Sequence, residues 1–160
     1  MRLLIVEDEE ALAKNLKKIL ELKGFAVDWL SDGEKAHTRI LMYRNEYDVI
    51  VLDLTLPGMD GATLTKSLRA EDITTPIVIL TGRSETENKI ALLNAGADDY
   101  VVKPFSSAEL IARIMSVARR PKEAHKVVHT VGDITIDTAS HKVSIGEVDV
   151  PLTLKEYALL

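Results

Sequence analysis

The 160-residue chain contains no cysteine. Disulfide cross-links and thiolate metal sites are therefore excluded. Long hydrophobic runs are also missing. Stretches such as Val49-Ile50-Val51-Leu52 are far shorter than the roughly 20 apolar residues needed to span a membrane. Met1-Arg2 leads through a short apolar run straight into Glu7-Asp8, which is not the pattern of a secretory signal. These absences point to the cytoplasm and to no membrane partner. Net positive charge is lacking too. At −5, the whole molecule is not drawn to nucleic acid, which leaves only a local basic surface for that purpose. There is no internal repeat and no low-complexity tract. What is present is a chain with 46% hydrophobic residues, enough for a real core. Its length suits one domain plus a fragment, or two small domains.

Apolar runs alternate with amphipathic stretches. Leu3 to Val6 reads as a buried strand. Residues 9 to 22 then place Leu12, Leu16, Ile19 and Leu20 on one helical face, with Gly24 as the stop. Phe25 to Leu30 is a second strand, interrupted by Asp28, and residues 33 to 44 form a second helix. Val49 to Leu52 is a third strand ending at Asp53. Pro57-Gly58 turns the chain, and a helix follows from Asp60 to Arg69. Ile77 to Leu80 is a fourth strand, followed by a fourth helix ending near Gly96. Tyr100 to Val102 is a fifth strand, with a fifth helix from Ser106 to Arg119. Strands that are apolar on both faces belong to a parallel sheet covered on both sides. Five strand–helix units in series predict an α/β, flavodoxin-like, doubly wound five-stranded parallel sheet.

Such sheets bind ligands beyond the carboxyl ends of their strands. Those ends carry Glu7 and Asp8, Asp53, Thr81 and Lys103. Taken singly, each has an ordinary explanation. Glu7-Asp8 suits the acidic start of a helix, Asp53 a turn, Thr81 a helix cap, and Lys103-Pro104 an exposed strand end. Tyr100 alone is a half-buried strand aromatic. Their coincidence on one edge changes the reading. Converging carboxylates repel one another unless a cation joins them. An oxygen-only set without His or Cys suits Mg²⁺. A carboxylate beside Mg²⁺ can serve as a nucleophile toward phosphorus. Lys103 and the metal would neutralise charge, and the Thr81 hydroxyl would reach a phosphate oxygen.

The segments Leu4 to Glu9 (LIVEDE), Val49 to Gly61 (VIVLDLTLPGMDG), Ile77 to Gly82 (IVILTG) and Gly96 to Phe105 (GADDYVVKPF) resemble the receiver domain of two-component response regulators. The resemblance runs from residue 1 to about 119. It implies that Asp53 takes a phosphoryl group from a phosphohistidine on a sensor histidine kinase. The protein is then a phosphoacceptor rather than a turnover enzyme, supporting phosphotransfer to itself and its own dephosphorylation. Asp8, Asp53 and the backbone carbonyl of Thr55 would ligate Mg²⁺, and Glu7 would act through a metal-bound water. Lys103 would pair with the phosphate, across a cis Lys103–Pro104 bond. Thr81 would swing toward the phosphate and Tyr100 would change rotamer as the readout. Relative to the commonest family pattern, about two extra residues lie near Tyr43 to Glu46.

The texture changes after Arg119. Residues 120–126 read as a charged linker. From residue 127 onward, short alternating runs (Ile134, Ile136, Val143, Ile145, Val148, Val150) predict a small antiparallel sheet, and Thr153-x-x-Glu156 forms a capping box. Residues 127–160 resemble the opening of an OmpR/PhoB-type winged-helix effector, without its recognition helix and wing. Specific DNA binding is thus expected of a longer parent, not of these 160 residues. Receivers of that type form homodimers through the fourth helix, fifth strand and fifth helix. Here that face would comprise Lys89, Ile90, Leu93, Asp99, Glu109, Ala112 and Arg113, with Lys89–Glu109 and Asp99–Arg113 as charge pairs. Two other classes compete. A phosphatase of the haloacid-dehalogenase type carries a second Asp two positions after its nucleophile; that position is Thr55 here. A receiver-like module that binds partners without phosphorylation would not need the full set of site residues.

Overall fold

The computed structural model describes residues 1–82 and 95–119, and the backbone of four strands between residues 128 and 150. The chain divides into two compact units, Met1–Arg120 and Pro121–Leu160. In the first, β1 (Arg2–Val6), α1 (Glu10–Leu22), β2 (Ala26–Leu30), α2 (Gly33–Met42), β3 (Val49–Asp53) and α3 (Gly61–Ala70) alternate. They are followed by β4 (Ile77–Thr81), β5 (Asp99–Val102) and α4 (Ser107–Ala118). The expected helix before Gly96 lies outside the described residues, so α4 here is the helix after β5.

The five strands lie in the order β2-β1-β3-β4-β5, and every neighbouring pair is parallel. The predicted doubly wound sheet is therefore present. Side chains alternate across a strand, and this splits the apolar runs between two cores. Leu4, Val6, Ile50, Leu52, Ile77 and Ile79 meet Ala36 and Ile40 of α2 and Leu64 and Leu68 of α3. Leu3, Ile5, Val49, Val51, Val78 and Leu80 meet Leu16 and Leu20 of α1 and Leu110, Ile114 and Val117 of α4. Each buried Leu, Ile or Val among them stabilises the fold by about 1.5–3 kcal/mol relative to exposure. This two-sided burial is why the strands read as continuous hydrophobic runs. Local polar residues fix where three of the helices begin. Asp32, Asp60 and Ser106 accept from the backbone N–H of Lys35, Thr63 and Glu109 at 3.0, 2.9 and 3.1 Å.

One boundary differs from the expectation. Periodicity carries the second helix to residue 44, but α2 ends at Met42, with Tyr43 as its C-cap. Residues 43–46 form a turn, closed by the Glu46 N–H donating to the Tyr43 carbonyl at 3.0 Å. Arg39 reaches from α2 to the Tyr47 hydroxyl at 3.2 Å and to Glu46 at 3.4 Å. These contacts draw the extra residues back onto the helix end and away from its axis.

Asp28, which interrupts the apolar run of β2, has a partner on either side. The Arg2 guanidinium donates to it at 2.8 Å and the Tyr47 hydroxyl at 3.1 Å. Burial by itself pushes the Asp28 carboxyl up, but the hydrogen bonds from Arg2 and Tyr47 outweigh it and hold the group below the usual carboxylate range. A carboxyl depressed in the folded state adds stability above its unfolded pKa, and that stability is lost as pH falls through the folded value. Comparing urea unfolding of the parent with that of Asp28→Asn should therefore show a gap at neutral pH that closes below about pH 4. The site is partly open to solvent, so the gap is expected to be about 1 kcal/mol or less.

The second unit contains β6 (Val128–Val131), β7 (Ile134–Asp137), β8 (Lys142–Ile145) and β9 (Val148–Val150). They pair antiparallel in sequence order, as the alternating pattern predicted. Residues 120–127 and the capping box at Thr153 and Glu156 lie outside the described residues.

Candidate functional site

Parallel register brings the chemistry to one edge. Val6 stands beside Leu52, Asp53 beside Leu80, and Thr81 beside Val102. The residues that close β1, β3, β4 and β5 thus share the carboxyl edge of the sheet. Glu7, Asp8 and Asp53 each offer a carboxylate oxygen, and these atoms lie within 4.8 Å of one another. Glu7 is 0% and Asp53 6% exposed, whereas Asp8 faces solvent. The Lys103 ammonium enters from β5 and donates to Asp53 Oδ2 at 2.7 Å and to Glu7 Oε2 at 2.8 Å.

Three carboxylates and one ammonium leave the cluster with an excess of negative charge. Glu7 bears the consequence. Burial pushes its carboxyl up, and the charge of Asp53 adds to that, against hydrogen bonds from Lys103 and the Glu9 N–H. For Lys103, burial works downward, but the bonds to Asp53 and Glu7 prevail and hold its ammonium above the ordinary range. Buried oxygen donors with uncompensated charge are a setting in which a hard cation is favourable. The cluster can hold a metal ion.

The other expected residues surround this centre. Thr81 is fully buried at the end of β4, and its hydroxyl donates to the Gly82 carbonyl at 3.3 Å. The Thr55 N–H donates to Asp53 Oδ1 at 3.3 Å. Tyr100 packs half-buried against the core beneath α2 and α3. The Lys103–Pro104 peptide is cis. On the expected dimer face, Arg113 Nη1 pairs with Asp99 at 3.0 Å and Nη2 with Glu109 at 3.4 Å, all within one chain. Ala112 is exposed. Lys89, Ile90 and Leu93 lie outside the described residues.

Two contributors escaped the reading of motifs. The Trp29 indole N–H donates to the Glu7 carbonyl at 2.8 Å. Gly33 is pressed against the loop that follows Asp53: a Cβ there would stand 1.9 Å from the Met59 carbonyl oxygen. In sequence Gly33 is only the start of the second helix, and nothing local indicates what it packs against.

An open parallel α/β sheet with a carboxylate–lysine centre at its switch-point edge defines a narrow class. The chain belongs to the response regulator receiver domain family, whose model matches residues 3–115. It is 42% identical to the transcriptional activator protein IrlR of Burkholderia pseudomallei, over 100% of this chain and 69% of that protein. It is 41% identical to the cell cycle transcriptional regulator CtrA of Caulobacter vibrioides, over 100% of this chain and 68% of that one. Among solved structures, the Francisella response regulator 1452 receiver domain matches with a TM-score of 0.69 and 40% identity, covering 74% of this chain and 97% of that one. No helix among the described residues is long and apolar enough to cross a membrane.

Proposed function

We propose that Asp53 is the phosphoacceptor of a two-component response regulator and takes its phosphoryl group from a phosphohistidine on a sensor histidine kinase. One observation carries this reading. A buried aspartate at a strand end sits among two further carboxylates and is held by a lysine at 2.7 Å. A carboxylate oxygen of Asp53 attacks phosphorus, the P–N bond breaks, and its electron pair returns to the imidazole nitrogen. The product is an acyl phosphate on Asp53. Asp8, Asp53 and the backbone carbonyl of Thr55 would hold Mg²⁺, with Glu7 acting through a bound water. When bound, Mg²⁺ neutralises charge on the carboxylates and the phosphoryl oxygens.

The chain's own groups complete the chemistry. Asp53 is nearly excluded from water, so its charge interactions are strong. Lys103 already stands at the acceptor oxygen and transfers its pairing to the phosphate. The Thr81 hydroxyl donates to a phosphate oxygen once it leaves Gly82, and the movement vacates space toward which Tyr100 turns. A local charge change thereby biases a two-state element. The output is dimerisation through the face of Lys89, Ile90, Leu93, Asp99, Glu109, Ala112 and Arg113, in the cytoplasm. Residues 1–119 form the receiver, 120–126 the linker, and 127–160 the start of an OmpR/PhoB-type effector, through which a longer parent controls transcription on DNA. The names of IrlR and CtrA support that output.

The test uses acetyl phosphate as a small-molecule donor. With Mg²⁺, intact mass should rise by one phosphoryl group, mapped to the peptide containing Asp53, and EDTA should abolish the gain. An unmodified mass under these conditions would overturn the proposal.

A further inference from the structure

We infer that Trp29 is a positioning residue for the acidic pair, its indole N–H holding the peptide that joins Glu7 to Asp8. The inference rests on the reading of the acidic cluster as a divalent-cation site. Its basis is the way β1 ends. The β1–β2 ladder runs from Arg2 opposite Ala26 to Val6 opposite Leu30, and its last rung has the Glu7 N–H donating to the Leu30 carbonyl at 3.0 Å. The next donor on the β2 side would come from the chain beyond Leu30. In a parallel ladder that donor would be the Asp32 N–H, but β2 ends at Leu30 and Asp32 already caps α2, which starts at Gly33. The Glu7 carbonyl is therefore left past the end of the ladder in a fully buried residue, where an unpaired acceptor is costly.

Trp29 supplies the missing donor at 2.8 Å. It stands opposite Ile5, and its ring packs against the core beneath α1 and α4, so the direction of its N–H is set by packing. The Glu7 carbonyl and the Asp8 N–H belong to one planar unit. A donor fixed on the carbonyl fixes the plane from which Asp8 departs. The Glu7 side chain is held separately, by the Glu9 N–H at 3.1 Å and by Lys103 at 2.8 Å. Asp8 itself is exposed, so its placement relative to Asp53 depends heavily on this peptide.

The experiment uses the full chain with two replacements that keep an aromatic ring and remove only the donor. One is Trp29→Phe; the other is incorporation of benzothienylalanine at position 29, in which sulfur takes the place of the indole N–H. Mg²⁺ affinity is measured by isothermal titration calorimetry well below the unfolding temperature, and labelling by acetyl phosphate is followed against Mg²⁺ concentration. Both variants should weaken Mg²⁺ binding about five-fold, the scale of one lost hydrogen bond. The loss should appear in the half-saturating Mg²⁺ concentration, with the labelling rate at saturation near that of the parent. A lowered melting temperature with unchanged Mg²⁺ affinity would show that Trp29 only packs, and would overturn the inference. Asp8→Asn separates the two layers of the argument. If the parent binds no Mg²⁺, or binds it equally well with Asp8→Asn, the reading of the site fails and the positioning role fails with it. If the parent's binding depends on Asp8 and both Trp29 variants retain it in full, the positioning role alone fails.

Discussion

Asp53→Asn should reduce phosphorylation by acetyl phosphate to background while leaving the protein folded and slightly more stable than the parent. The first half follows from the nucleophile. An amide oxygen carries no full negative charge and has no carboxylate to form an acyl phosphate. The change is nearly isosteric. The Asn side-chain oxygen can keep one of the two bonds, from Lys103 at the Oδ2 position (2.7 Å) or from the Thr55 N–H at the Oδ1 position (3.3 Å), and the amide nitrogen takes the other place. The second half follows from charge. In the parent, Lys103 is shared between two buried carboxylates, and burial together with Asp53 lifts the Glu7 carboxyl above its usual range. An acid raised in the folded state is a stability cost above its folded pKa, relieved as pH falls below it. With Asp53 neutral, Glu7 and Lys103 form a one-to-one pair and that cost shrinks. Urea unfolding without metal at neutral pH should show a small gain in stability over the parent. Labelling of Asp53→Asn at the parental rate would mean that the nucleophile is another residue.

The second large effect is on folding. Gly33→Ala should destabilise the chain by about 3 kcal/mol. The new methyl would stand 1.9 Å from the Met59 carbonyl oxygen and 2.8 Å from its carbon. Both are backbone atoms, so no rotamer change relieves the clash. The Gly33 N–H also donates to Pro57, so α2 and the loop cannot part without losing that bond. Gly24→Ala is the informative control. Gly24 has φ +87 but nothing within 4 Å of an added Cβ, so only backbone strain opposes the change, at about 1–2 kcal/mol. Denaturant midpoints should therefore fall further for Gly33→Ala than for Gly24→Ala. Equal midpoints would mean that the α2–loop contact yields easily. Because that loop joins Asp53 to α3, Gly33→Ala should also slow acetyl-phosphate labelling of whatever fraction remains folded.

Much of this molecule is written in local pattern. The runs at Leu3, Val49 and Ile77 announced strands buried on both faces, and the structure divides their residues between two cores. Asp60 and Ser106 marked helix starts that the structure keeps as N-caps. The acids and the lysine could be assigned to one edge because a parallel sheet puts every strand's carboxyl end on the same side. Such signals are readable because they depend on repeats of two or about 3.6 residues along a single element.

What depends on the distance between elements was decided only by the tertiary structure. Lys103 meets Asp53 and Glu7 across 50 and 96 residues of chain, and the sheet register makes those meetings. Arg69, an unremarked helix residue in sequence, donates to the carbonyls of Ile73, Thr75 and Gly96 and to Asp98, tying the end of α3 to β4 and β5. The stop of α2 at Met42 reflects contacts of Arg39 with Glu46 and Tyr47, which outweigh the helical periodicity. Trp29 is an ordinary strand aromatic until β1 and β2 are aligned and its indole falls on the Glu7 carbonyl. The sequence by itself determined the five strands of the parallel sheet, their burial on both faces and the gathering of the acids and the lysine at one edge. The crossovers and the strand register then determined which groups touch, because a hydrogen bond is set by position in space and leaves no period along the chain.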